Sequence, residues 1–169
     1  MIFFDTETTG LILPGIPDPA KQPQIIELAM VRTGPQREES FVRLLNPGVP
    51  LSPDIIRITG LRDADLKDAP SFPDILPELI EFVRLDMDNA VVAHNAPFDL
   101  GMLLFELRRI GCEHRFPWWW RQIDTVPLSG GKRLVNWAEE VMGARFPGQT
   151  HRALDDVKLL MECYKSLKL

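Results

Sequence analysis

Met1-Ile2-Phe3-Phe4-Asp5-Thr6-Glu7-Thr8-Thr9-Gly10 opens the chain with an apolar run that ends in two carboxylates two residues apart. Residues 1–5 read as a buried strand, and a strand's period of two puts Asp5 and Glu7 on one face. Like charges held side by side repel. Either the strand simply runs out into water at this point, or a shared divalent cation removes the repulsion and uses the hard oxygen donors.

Outward from this strand the chain keeps changing period. Residues 13–23 are a proline-rich loop, and residues 25–33 and 40–45 are strand-like runs separated by the turn chemistry of Thr33-Gly34-Pro35-Gln36. Ser52-Pro53-Asp54 starts a short helix to about residue 58. Residues 71–85 repeat apolar side chains at helical spacing, although Pro77 interrupts them. A short strand at 90–93 precedes a helix over about 98–110. A strand near Ile123 and helices over about 133–142 and 153–167 complete the pattern. Strands first, then strands alternating with helices, predict an α/β fold with a mixed β-sheet flanked by α-helices.

A length of 169 residues with 45% hydrophobic and 25% charged side chains fits one globular domain over residues 1–169 and excludes a disordered chain. The 15 prolines and 11 glycines fall between apolar runs and mark loops. A formal net charge of -5 argues against nucleic-acid binding through a general basic surface, so a polyanionic substrate needs local help. No apolar stretch nears the roughly 18 residues that span a bilayer, and no signal peptide opens the chain, so no membrane association and a cytoplasmic location are expected. Cys112 and Cys163 are then expected to be reduced and chemically idle.

Two further segments concentrate polar residues. His94-Asn95-Ala96-Pro97-Phe98-Asp99 follows the 90–93 strand and opens a helix. Asp99 there is either a helix-terminal acid favoured by the dipole or a metal ligand. Its helical neighbours Met102, Leu103 and Leu107 are apolar, a costly setting for an unpaired carboxylate. Gly148-Gln149-Thr150-His151-Arg152-Ala153-Leu154-Asp155-Asp156 joins a loop to the last helix. A loop histidine is often only solvated, yet an imidazole, with its ordinary pKa of about 6.5, is also suited to taking a proton from water.

These three segments are similar to the three exonuclease motifs of the DEDDh (DnaQ-like) family of 3′-to-5′ exonucleases, which includes proofreading subunits of replicative polymerases and ribonuclease T. They occur in the family's order and at its separations, and the resemblance extends from Met1 to about Tyr164. It implies a ribonuclease H-like fold and release of nucleoside 5′-monophosphates. By motif position it implies that Asp5, Glu7, Asp99 and Asp156 bind two divalent cations, Mg²⁺ or Mn²⁺, and that His151 is the general base. Two dications would move the formal charge from -5 to about -1, with positive charge placed at the scissile phosphate.

The resemblance further implies that the backbone near Glu7 and Thr8 meets the terminal 3′-hydroxyl, and that Leu11, Asn95 and Phe98 lie around the last nucleotides. The implied partners are a single-stranded DNA or RNA 3′ end and a polymerase or other replication protein. Two departures stand out. Thr59-Gly60 lacks the histidine that relatives often place before the glycine, and the loop over residues 12–24 is longer and richer in proline than the family's short turn.

Weaker candidates read as structure: Asp124 as a helix or turn cap, His114 and Arg108-Arg109 as solvated surface groups, and Trp118-Trp119-Trp120 either as side chains buried under the neighbouring loop or, for at least one of them, as a contact for a partner protein or a single strand. In a regular last helix Ala153, Asp156, Val157 and Leu160 share one face, and Asp155, Lys158, Glu162 and Lys165 share another. The first face is apolar, which selects Asp156 over Asp155 as the inward acid.

Overall fold

The computed structural model describes residues 1–34, 38–84, 90–116, 121–143, 145 and 151–167. In chain order it contains β1 (Ile2–Thr8), β2 (Ile25–Thr33), β3 (Glu38–Leu44), α1 (Pro53–Thr59), α2 (Asp63–Leu66), α3 (Phe72–Arg84), β4 (Ala90–Ala93), α4 (Ala96–Arg109), β5 (Arg121–Asp124), α5 (Thr125–Leu128), α6 (Leu134–Met142) and α7 (Ala153–Ser166). The strands form one mixed sheet in the order β3-β2-β1-β4-β5. β1, β2 and β3 pair antiparallel, whereas β1-β4 and β4-β5 pair parallel. The opening stretch is therefore the central strand. It continues to Thr8, three residues beyond the apolar run, so both carboxylates lie within the strand.

Alternation along β1 divides the core into two layers. Ile2 and Phe4 pack with Leu28 and Met30 against α3 and α4, while Phe3 packs with Ala29, Val31 and Val92 against α6 and α7. All four residues of β4 are buried, as expected for a parallel strand covered on both faces. Each fully buried large apolar side chain, such as Phe4 or Leu28, contributes about 1.5–3 kcal/mol. A third cluster of Ile26, Leu51, Leu61 and Leu66 seats α1 and α2 beside the sheet.

Several expectations are corrected. α3 runs unbroken through Pro77. α4 starts at Ala96, two residues early, because Pro97 sits in its first turn, where the missing N–H costs nothing. Arg109 is no solvated group: its guanidinium pairs with buried Glu106 at 2.8 Å and donates to the carbonyls of Gln22 and Pro23 at 2.6 Å. These contacts tie the long loop to α4, and Gln22 gathers the loop by bonding Leu13 and the Ile16 carbonyl. A Cβ on Gly101 would approach the tip of the Ile12 side chain to 2.9 Å, so the loop packs closely on this helix face and a larger residue would make Ile12 shift.

Arg108 and His114 are exposed as expected. Cys112 and Cys163 are both free thiols. The tryptophan triplet and the turn through Pro35 and Gln36 lie outside the described residues. Among those described, no helix is long and apolar enough to cross a membrane.

Candidate active site

Asp5 and Glu7 share a face of β1 with Phe3, on the side covered by α7. A bulge at the β1-β2 pairing follows Glu7: Glu7 is opposite Glu27, but Thr8 is opposite Ile25. Such bulges re-aim side chains at the end of a ladder.

β4 is short and, among the described residues, pairs with β1 at Ile2 and Phe3. Farther along the edge, Asp99 in the first turn of α4 accepts from the Thr6 backbone N–H at 3.0 Å and from its hydroxyl at 2.7 Å, both through Oδ1. The apolar setting noted in the sequence is thus resolved: Asp99 is 3% exposed and hydrogen-bonded to the central strand. The turn that delivers it is held tightly. Asn95 has a left-handed backbone (φ 80°), and its N–H donates to Asp124 Oδ1 at 3.0 Å. That same oxygen caps α5 by accepting from the Val126 N–H. The His94 ring bridges Thr125 Oγ1 and the Lys132 carbonyl, each at 2.9 Å.

α7 supplies the third component. Asp156 is 3% exposed and Asp155 is exposed, with Ala153, Val157 and Leu160 on the buried face, as the helical spacing required. His151, two residues before the helix, has a left-handed backbone (φ 48°). One ligand atom from each of Glu7, His151 and Asp156 can be chosen so that all three lie within 4.8 Å of one another.

The electrostatics are those of crowded acids. Burial, then the charges of Asp99, Asp156, Glu7 and Glu27, hold Asp5 well above the ordinary carboxylate range. Glu7 is pushed up to about 8 by burial, then Asp156, Glu27 and Asp99, with Arg152 opposing. Asp99 rises to about 7 through burial, against the pull of the Thr6 hydrogen bonds. Clustered carboxylates that resist ionisation together with a nearby imidazole are a donor set suited to hard divalent cations, whose charge would reverse that resistance. The residues present therefore fit metal binding.

The residues expected to meet substrate differ in exposure. Thr8 is buried and donates to the Gly10 carbonyl at 2.7 Å, Leu11 is 77% exposed, Asn95 is exposed, and Phe98 is half-buried against the core. At the departure from the family pattern, Thr59 ends α1 before the left-handed cap Gly60, its hydroxyl accepting from the Leu61 N–H and donating to the Ile55 carbonyl.

Glu27 and Arg152 were not foreseen. Glu27 is 2% exposed and accepts a fork of two bonds from Arg152, at 2.9 and 2.8 Å, and a third from the Ala153 N–H at 3.1 Å. The available signal was a lone carboxylate inside the apolar run Ile25-Ile26-Glu27-Leu28-Ala29-Met30-Val31, since a buried charge needs a partner.

With this geometry established, comparisons identify its relatives. A family model of the RNase T type, described as Exonuclease, matches residues 2–164. The PolC-type DNA polymerase III of Caldanaerobacter subterraneus subsp. tengcongensis is 30% identical over 169 residues, covering 96% of this chain and 11% of the polymerase. The PolC-type enzyme of Bacillus subtilis is 41% identical over 103 residues, covering 60% of this chain and 6% of the enzyme. The chain thus spans about a tenth or less of the length of these curated relatives. A crystal structure of the nuclease domain of 3′hExo, described as a DEDDh family member bound to rAMP, superimposes with a TM-score of 0.75 at 20% identity, covering 99% of this chain and 90% of that one. The likeness is one of fold: a mixed sheet flanked by helices, ribonuclease H-like in architecture. On a family match over residues 2–164, nearly its whole length, the chain belongs to the RNase T-type exonuclease family.

Proposed function

We propose that residues 1–169 act as one exonuclease domain that hydrolyses the terminal phosphodiester at the 3′ end of single-stranded or frayed DNA, releasing nucleoside 5′-monophosphates. The observation that carries this reading is the convergence of Glu7 from the central strand with His151 and Asp156 from the start of α7, beside Asp5 and Asp99. In this reading Asp5, Glu7, Asp99 and Asp156 hold two divalent cations, Mg²⁺ or Mn²⁺. When bound, such cations supply Lewis-acid chemistry, acidifying water and stabilising charge on phosphate and leaving oxygens.

The protein's own groups do the rest. His151 takes the proton of the attacking water, a role suited to an imidazole at neutral pH. The backbone around Glu7 and Thr8 receives the terminal 3′-hydroxyl. Leu11 and Phe98 offer apolar faces to the last bases, and stacking of this kind is indifferent to sequence. In this reading Asn95, the residue at the cap of α4, lies near the last nucleotides. Similarity to PolC-type DNA polymerases favours DNA and a proofreading role alongside a polymerase.

The reading is tested with 5′-labelled DNA and RNA oligomers incubated with Mg²⁺, Mn²⁺ or chelator, using wild type and Asp5→Asn. Expected are a ladder shortening from the 3′ end with either cation, none with chelator, and none with the variant. Full degradation in excess chelator would refute the metal requirement, and a preference for the RNA strand would reassign the substrate.

A further inference from the structure

Glu27 lies in β2 directly opposite Glu7, so two acids face each other across neighbouring strands at the edge of the acidic cluster. Like charges in that position destabilise a sheet unless something intervenes. Arg152 intervenes: its guanidinium grips both oxygens of Glu27, and its charge also opposes the rise of Glu7. The same carboxylate accepts from the Ala153 N–H, an amide at the start of α7. Arg152, the residue at the helix cap, makes no capping bond with its own side chain, so Glu27 reaches from another strand to satisfy this terminus. One backbone bond, from Ala153, and two side-chain bonds, from Arg152, therefore anchor the chain on the C-terminal side of His151. Asp156 has other support, a full turn into a helix whose Ala153, Val157 and Leu160 are buried in the core.

We infer that Glu27 and Arg152 form a positioning pair for the exonuclease reaction, holding His151 in its left-handed backbone conformation so that its ring meets Glu7 and Asp156. Neither residue of the pair touches the reacting atoms. The inference rests on the reading of His151 as the base. A lysine could supply the charge but not the planar fork, so Arg152→Lys loosens the grip while leaving Glu27 an ionic partner. Glu27→Leu with Arg152→Met removes both charges together and leaves none stranded, which keeps a folded comparison available.

The test measures kcat and KM on a single-stranded DNA oligomer in saturating Mn²⁺, Mn²⁺ affinity by calorimetry, and melting temperature, for both variants in the wild-type and His151→Ala backgrounds. In the wild-type background kcat is expected to fall about 10- to 100-fold, as for a small misplacement of a reacting group, with KM and Mn²⁺ affinity each changed less than about threefold. In the His151→Ala background the same changes are expected to lower kcat less than about twofold, because the group they position is gone. Wild-type kcat in either folded variant would overturn the proposal. So would a KM increase at intact kcat, which would assign Arg152 to substrate phosphate, or losses that multiply in the His151→Ala background. A His151→Ala protein as fast as wild type would instead sink the base reading itself, an outcome distinct from failure of the pair.

Discussion

Removing charge from the acidic cluster should stabilise the metal-free protein, and Glu7→Gln tests this most cleanly. Glu7 ionises near 4.5 in an unfolded chain but only at about 8 in the folded one. Between those values the folded state retains a proton that the unfolded state releases, so stability falls as pH rises through the window. Each pH unit inside it costs about 1.4 kcal/mol, so Glu7 alone should remove about 2–3 kcal/mol between pH 5 and pH 7. For a chain of this size that is a fall of roughly 5–10 °C in melting temperature. Asp5 and Asp99, both raised, act in the same direction. The assay is thermal unfolding in chelator at pH 5, 6 and 7, with and without Mn²⁺. Wild type should melt progressively lower as pH rises, Glu7→Gln should keep roughly two thirds of that slope because Asp5 and Asp99 still contribute, and Mn²⁺ should raise the wild-type melting temperature more at pH 7 than at pH 5. A metal-free wild type at least as stable at pH 7 as at pH 5, or an unchanged slope in Glu7→Gln, would refute the electrostatic reasoning.

Asp156→Asn should remove nearly all hydrolysis and weaken Mn²⁺ binding, while Asp155→Asn, altered on the exposed face of α7, should change turnover less than a few-fold; the reverse pattern in paired kinetics and calorimetry would contradict the assigned faces. Loss of the base in His151→Ala should lower turnover by roughly 10²- to 10⁴-fold with little change in substrate affinity, as single-turnover kinetics would show. Arg109→Ala strands the Glu106 carboxylate, buried between Ile25 and α4, and should destabilise the fold by about 3–5 kcal/mol in chemical denaturation. Protection of amides in residues 12–24 from hydrogen exchange should fall with it.

The elements carried by strong periodicity were legible. The central strand, the β2-β3 pair, the helix over 71–85 and the last helix all follow from which residues must be buried, and the orientation of Asp156 follows from a helical spacing that its apolar neighbours enforce. Within the candidate site, Glu7, His151 and Asp156 were marked by motif before the fold brought their ligand atoms together. What escaped the reading depended on partners distant in sequence. Glu27 and Arg152 are separated by 125 positions, and neither has meaning without the other. Arg109 looked like a surface cation because the backbone carbonyls that receive it belong to the loop 86 and 87 positions earlier. Asp124 was legible as a cap, but its bond to the Asn95 N–H required β5 to lie beside β4.

The central claim is that this acidic centre removes nucleotides from a 3′ end and needs divalent cations to do so. Its most direct test follows hydrolysis of one DNA sequence prepared as a linear single strand labelled at the 5′ end, the same strand labelled at the 3′ end, and a closed single-stranded circle, in Mn²⁺ and in chelator. The account predicts immediate release of labelled mononucleotide from the 3′-labelled strand, a descending ladder from the 5′-labelled strand, an intact circle, and no reaction in chelator. Cleavage of the circle, first release from the 5′ end, or undiminished hydrolysis in chelator would contradict it.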